Sequence, residues 1–282
     1  MNKWIAGARP KTLPAAIAPV AVATALAGEN WNPVLALLAL LVSLALQVGV
    51  NYANDYSDGV KGTDDNRIGP MRLVASGAAP ANQVKIAAYI ALSFGAVVGL
   101  ILALQTSLWL VAVGAIAIAA AWGYTGGKNP YGYFGFGELS VFVFFGLVAT
   151  IGTYFAQTGH LTLDSLFVAI PMGCLSCALL AINNLRDRAA DELVGKRTLA
   201  VRLGDASART AFIALVLTAH ISVLFLLKPW TLLTLLLLPI TFSLIKTIRA
   251  GANGAELIPL LGKTGKLQLR FAILLALGLL LS

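Results

Sequence analysis

Charge is scarce in this sequence. Only 11% of its 282 residues are Asp, Glu, Lys or Arg, against about 25% in an ordinary soluble domain. With 59% hydrophobic residues and a mean hydropathy of +0.84, the chain reads as an integral membrane protein. Cysteine is almost missing as well. Cys174 and Cys177 form a CLSC inside an apolar run, with no second pair or nearby histidine to complete a zinc or redox centre, so they read as lipid-buried thiols. The two histidines, His160 and His220, belong to no motif. A Walker A sequence is absent, and GYFGFGE at 132–138 lacks the GxGxxG spacing of a dinucleotide-binding turn. Long polar linkers are also lacking, so residues 1–282 read as a single domain. The net charge of +8 might suggest a nucleic-acid partner. The cations are instead scattered through short loops between apolar runs, where they set topology, and nucleic acid is excluded.

What the chain has in quantity is apolar length. A bilayer core takes about 20 apolar residues as a helix, and nine runs approach that ruler: 12–27, 34–53, 83–104, 107–123, 138–157, 164–183, 208–227, 229–247 and 268–281. None alternates as a membrane β-barrel strand would. The fold class expected is therefore all-α and polytopic, with nine transmembrane helices. The first run follows Lys3, Arg9 and Lys11 and shows no small-residue cleavage site, so it is expected to stay in the protein. With the N-terminus in the cytosol, 19 of the 20 Lys and Arg fall on the cytosolic side and only Lys228 outside. This predicts an N-in, C-out protein of the plasma membrane with its chemistry on the cytosolic face.

Two polar blocks interrupt the apolar pattern. The first, NYANDYSDGVKGTDDNRIGPMRLVASG at 51–77, ends the second run. Asn51, Asp55 and Asp58 stand at offsets 0, 4 and 7, one face of a helix. They offer hard oxygen donors suited to Mg²⁺, with Lys61, Arg67 and Arg72 behind them to hold phosphate oxygens. The second block, NNLRDRAADELVGKR at 183–197, ends the sixth run and sets Asn183, Asp187 and Asp191 on one face. Both blocks close a span running from outside to inside, four helices apart. That spacing suggests two four-helix pseudo-repeats plus one helix. Seven of the twelve acids lie in these blocks: Asp55, Asp58, Asp64, Asp65, Asp187, Asp191 and Glu192. Carboxylates at helix ends are often merely solvated, but ionisable groups recurring at matched positions of membrane helices mark function. Two acidic faces meeting at one end of a bundle would repel unless divalent cations lay between them. The reading is a Mg²⁺–diphosphate site at the cytosolic rim, with an isoprenoid tail in the bilayer. Among the cations, Arg72 and Lys128 stand out. Arg72 precedes LVASG, and Lys128 follows Tyr124 in YTGGK, whose glycines would let the backbone approach a ligand.

At this point the sequence resembles the UbiA superfamily of intramembrane prenyltransferases, over nearly its whole length. NDxxD followed by a further aspartate is matched by Asn54, Asp55, Asp58 and Asp64, and DxxxD by Asp187 and Asp191. The family's tyrosine–lysine pair resembles Tyr124 and Lys128, and its arginine before an SG turn resembles Arg72. Five strings resemble the branch that prenylates 1,4-dihydroxy-2-naphthoate for menaquinone: ARPKTLPAAIAPV at 8–20, NYANDYSDGVKGTDD at 51–65, GPMRLVASG at 69–77, YTGGKNPYGYFGFGE at 124–138, and NNLRDRAADELVGKRTLAVRLG at 183–204. The resemblance implies a UbiA-type fold and Mg²⁺-dependent transfer from a polyprenyl diphosphate to 1,4-dihydroxy-2-naphthoate, releasing CO₂ and diphosphate. It implies Asn54, Asp55, Asp58, Asp187 and Asp191 as metal ligands, with Asp64 as an extra ligand or loop-closing acid. Asp55, Asp58, Asp187 and Asp191 become the catalytic set, and Asn51 moves to a supporting place matched by Asn183. Lys61, Arg72, Tyr124 and Lys128, with Asn183 and Asn184, fall to diphosphate or acceptor binding. Arg9 and Lys11 are expected to hold the acceptor carboxylate or the diphosphate.

Three other readings compete. A family member with 4-hydroxybenzoate or another aromatic acceptor is one, but the 4-hydroxybenzoate branch has a first loop closer to NDxxDxxxD, whereas here the further aspartate, Asp64, stands six residues after Asp58. A transporter would also use duplicated halves and acidic helix ends, but its polar groups should gather at the midplane. A CDP-alcohol transferase needs DGxxAR, whereas this chain reads DGVKGT from Asp58.

Overall fold

The computed structural model describes residues 2–64 and 69–282. Asp65 and Arg67, counted above among the acids and cations of the first block, lie outside the described residues. Among the described residues there is no strand, and the chain is a bundle of helices. A short α1 (Lys3–Ala8) lies ahead of α2 (Pro14–Leu26), α3 (Pro33–Val60), α4 (Ala81–Gln105) and α5 (Trp109–Gly123). There follow α6 (Gly137–Thr158), α7 (Leu163–Leu193), α8 (Leu199–Leu226), α9 (Pro229–Arg249) and α10 (Leu257–Leu280). Each of the nine apolar runs falls on one of α2 to α10. Six of these, α3, α4 and α6 to α9, are long and apolar enough to cross a membrane by length and composition.

Local sequence explains the helix starts. Pro33 opens α3 beneath Asn32, whose side chain accepts from the Val34 and Leu35 amides, and α7 begins with a reciprocal Thr162–Ser165 capping box. At about 1.5 Å per residue, a bilayer core of about 30 Å takes up roughly the first 20 residues of a helix. Since α3 has 28 residues and α7 has 31, both continue past that depth. Their last turns are the two polar blocks, so the acidic faces sit on rigid helix rather than on loops.

The centre of the bundle is α7. Of its most apolar 18-residue window 78% is buried, against 22% for α3. The main core gathers Met172, Leu175, Ile182, Phe212, Leu267 and Phe271 around it, from α7, α8 and α10. On the outside, Leu104, Leu108, Trp109, Ile90 and Leu236 are exposed, the surface expected against lipid rather than water.

Two elements differ from the apolar runs. The ninth run, 268–281, is the second half of a helix that starts at Leu257. Lys263, Lys266 and Arg270 interrupt its hydropathy yet face outward, while Leu257, Leu260, Leu261, Thr264, Leu267 and Gln268 are buried. The seventh run starts at 208, but α8 begins at Leu199 and turns at Gly204, φ 75°. Inside α6, residues Phe142–Val148 form a π-helix, a widening common beside functional sites. It brings Gly146 so close to α7 that an added Cβ would lie 2.6 Å from Gly173 Cα.

Candidate active site

The two acidic faces meet through a lysine. Lys196, just beyond the end of α7, places Nζ 3.3 Å from Asp58 Oδ2 on α3 and 3.8 Å from Asp191 Oδ1 on α7. The other Asp58 oxygen accepts the Tyr133 hydroxyl at 2.8 Å. Lys196 and Lys61 both lie over the Tyr133 ring, 5.1 and 4.9 Å from its centroid. Burial alone would lower the Lys196 pKa. The carboxylates of Asp58, Asp191 and Asp64 outweigh it and hold the ammonium above its ordinary value. Burial, with the Asp58 charge added, pushes the Tyr133 phenol up. Lys61 goes the other way: burial lowers it against the pull of Asp58, and Lys196 adds repulsion.

The rest of the first block folds around this point. Asp55 is fully buried, and its two oxygens accept the backbone N–H groups of Val74 and Leu73 at 3.0 and 2.9 Å. It therefore fastens the 72–76 turn to α3, and Gly59 permits the contact, since a Cβ there would lie 2.5 Å from Val74. That turn delivers Arg72, whose Nε lies 3.1 Å from Asp64 Oδ2. Asn54 accepts the Thr125 hydroxyl at 2.8 Å, and Lys61 donates to the Thr125 carbonyl at 2.7 Å, tying the block to the loop after α5.

In the second block Asp187 accepts two 2.7 Å hydrogen bonds from the buried Arg186. Asn184 donates to Glu138 Oε1 at 2.8 Å, while Asn183 donates to its own helix at Leu179. Of the predicted cations, Arg9 lines the cavity below and donates to the Asn51 carbonyl at 3.2 Å. Lys11 and Lys128 are exposed and are not among the residues lining that cavity. The YTGGK glycines serve the turn itself. Gly127 adopts φ 78°, and a Cβ on Gly126 would lie 2.5 Å from the Trp122 carbonyl.

Beneath the rim runs a cavity of about 410 Å³. Arg9, Asn51, Asn54, Tyr124 and Asn183 line its polar end, and Gly95, Gly99, Val111, Gly114 and Phe144 its apolar reach.

The sequence did not single out Lys196, Tyr133, Arg186 or Glu138. Lys196 carried a signal in standing five residues after Asp191, and it had been absorbed into the topology count. Among the described residues, no three His, Cys, Asp or Glu converge to hold a metal. Even so, the donors between the two motifs suit Mg²⁺. They are carboxylates, the hard oxygen ligands that ion takes, and a cationic ammonium already stands between Asp58 and Asp191. The arrangement can bind an anionic head group at a charged rim with its apolar tail below.

Residues 16–254 match the UbiA prenyltransferase family. A 1,4-dihydroxy-2-naphthoate octaprenyltransferase of Mycobacterium tuberculosis is 50% identical, covering 97% of this chain and 95% of its own. The enzyme of the same name from Escherichia coli is 37% identical, over 99% and 95%. A UbiA homolog from Archaeoglobus fulgidus, solved bound to GPP and Mg²⁺, shares the fold at TM-score 0.69 and 14% identity, covering both chains in full.

Proposed function

The chain belongs to the UbiA prenyltransferase family, and from that premise we propose that it transfers a polyprenyl group from its diphosphate to 1,4-dihydroxy-2-naphthoate. The observation that carries this reading is the Asp58–Lys196–Asp191 bridge, with Asp58 one helical turn beyond Asn54, which lines the apolar cavity. One end suits a diphosphate and the other an isoprenoid. The relatives' shared name supplies the acceptor.

The C–O bond to diphosphate breaks, a C–C bond forms at a ring carbon, and CO₂ leaves with its bonding electrons returned to the ring. Asp58 and Asp191, with Asp64 beside them, would hold Mg²⁺, completed by Asn54, by the lone pairs that Asp55 does not use on the 72–76 turn, and by Asp187 once it exchanges Arg186. The ion supplies charge stabilisation to the departing diphosphate. Lys196, Lys61 and Arg72 bind its oxygens, and Asp55 positions Arg72 by holding the 72–76 turn. The apolar cavity excludes water from the reacting allylic carbon. The arrangement in the membrane that accompanies this reading is one domain of nine spans in the plasma membrane, N-in and C-out, with the rim in the cytosol.

Purified protein with labelled farnesyl diphosphate, Mg²⁺ and a panel of aromatic acids tests the reading. Product with 1,4-dihydroxy-2-naphthoate is expected. Product with 4-hydroxybenzoate alone would sink the acceptor assignment.

A further inference from the structure

One wall of the cavity is polar well below the charged rim. Ser176 lines it on α7, two helical turns from Asn183 and therefore about 10 Å deeper. Behind Ser176, on α10, Gln268 is completely buried and donates its Nε2 hydrogen to Ser176 Oγ at 2.8 Å. Among the described residues the Ser176 hydroxyl hydrogen has no acceptor. Gln268 Oε1 and the neighbouring Thr264 hydroxyl are likewise buried without a partner. A helical serine normally returns its hydrogen to the carbonyl one turn back. Here the amide of Gln268 occupies the oxygen and leaves the O–H for whatever enters the cavity.

The same wall continues toward the rim. A Cβ on Gly265 would lie 2.9 Å from the Lys11 carbonyl and 3.7 Å from Leu179, so α10 meets the α1–α2 hinge one turn above Gln268. At that hinge Thr12 Oγ1 accepts from Gln47 at 3.0 Å and from Asn51 at 3.2 Å, and all three line the cavity. Arg9 ends α1 in a left-handed conformation, φ 53°, an ordinary helix-terminating turn that swings the chain into the hinge. The wall thus runs from a guanidinium at the mouth, through amides, to a hydroxyl donor below. The opposite wall, on α4 and α5, is glycine, alanine and aliphatic.

We infer that this polar wall is the acceptor subsite, with the aromatic carboxylate at Arg9 and the ring hydroxyl remote from it hydrogen-bonded to Ser176 under the orientation set by Gln268. The inference rests on the naphthoate reading above and adds which residues recognise the ring. A buried polar pair between membrane helices can also serve only to hold them together. The two roles separate when the ligand, rather than the protein, loses the hydroxyl.

The test is binding to protein without donor or metal, followed anaerobically by naphthoate fluorescence, for 1,4-dihydroxy-2-naphthoate and for 1-hydroxy-2-naphthoate. Wild type is expected to bind the dihydroxy acid about tenfold more tightly, the worth of one buried hydrogen bond. Ser176→Ala should bind both acids alike, at the weaker level, and Ser176→Thr should restore the difference. Gln268→Leu, which leaves the serine in place, should shrink the difference without changing affinity for farnesyl diphosphate with Mg²⁺. Equal loss for both acids in Ser176→Ala, or no loss for either, overturns the subsite. A wild type that binds neither naphthoate while binding 4-hydroxybenzoate overturns the naphthoate reading itself.

Discussion

Lys196 reaches across 138 positions of sequence to set its ammonium 3.3 Å from Asp58. With Asp191 3.8 Å away on its other side, it occupies the space between two carboxylates of different helices. Without it those two acids would lose the cation that stands between them in a poorly hydrated site.

Lys196→Met removes that charge with little change of shape. The variant should melt at a lower temperature than wild type in EDTA, and Mg²⁺ should raise its Tm more than it raises the wild type's, because the ion then relieves a larger repulsion. Turnover should fall about 10²- to 10³-fold, the usual loss when one group stabilising developing charge is deleted. An equal Mg²⁺-induced rise in both proteins would mean that the lysine does not share the site with the metal.

Asp55 and Asp58 stand one turn apart but should fail differently. Asp55→Asn replaces one of two acceptor oxygens by an NH₂ group facing a backbone N–H. That leaves a buried donor unpaired at a cost of about 1–3 kcal/mol. Asp58→Asn keeps an acceptor for Tyr133 and loses chiefly charge. Both should abolish Mg²⁺-dependent turnover, yet only Asp55→Asn should lower the Tm by several degrees. Equal melting of the two would refute the anchoring role of Asp55.

These pairings mark where the sequence stops being informative. Helical periodicity was enough to put Asp55 and Asp58 on one face, and the matched spacing of the second block announced its partner. Periodicity says nothing about which backbone a carboxylate will meet. The partners of Asp55 lie 18 and 19 residues ahead, in a locally hydrogen-bonded turn that only tertiary packing brings against α3. Lys196 was hidden because a cytosolic cation satisfies the positive-inside rule whether or not it does chemistry. Glu138 sits in a glycine-rich string that reads as a turn, and only the approach of α6 to α7 gives it Asn184. The start of α10 escaped for a related reason. Hydropathy averages around the helix, so three outward cations masked an inner face that is continuously buried.

The cations divide by exposure, and kinetics should show the division. Lys11→Ala and Lys128→Ala alter exposed side chains that do not line the cavity and should leave turnover nearly unchanged. Arg72→Ala removes one cation from beside Asp64 and a phosphate ligand from the rim, and should raise KM for the prenyl diphosphate at least tenfold. Initial rates with the donor varied at saturating acceptor decide it. A tenfold loss in Lys128→Ala would return that lysine to the diphosphate.

Gly114 on α5 and Gly152 on α6 both line the cavity, and a Cβ added to either meets nothing within 4 Å. A leucine at either position therefore starts from open space at its Cβ and replaces a helix-weakening residue by a helix former, so the fold should not suffer. The side chain instead fills space that the isoprenoid tail would use. A short donor that ends before the obstruction should be unaffected, whereas a long one must bend or withdraw. The expected outcome is an unchanged kcat/KM for farnesyl diphosphate and about a tenfold fall for a long-chain polyprenyl diphosphate, the discrimination a few displaced methylenes give in an apolar pocket. Equal losses for both donors would place the tail elsewhere, and a gain in Tm with no change in chain-length preference would leave these glycines to packing alone.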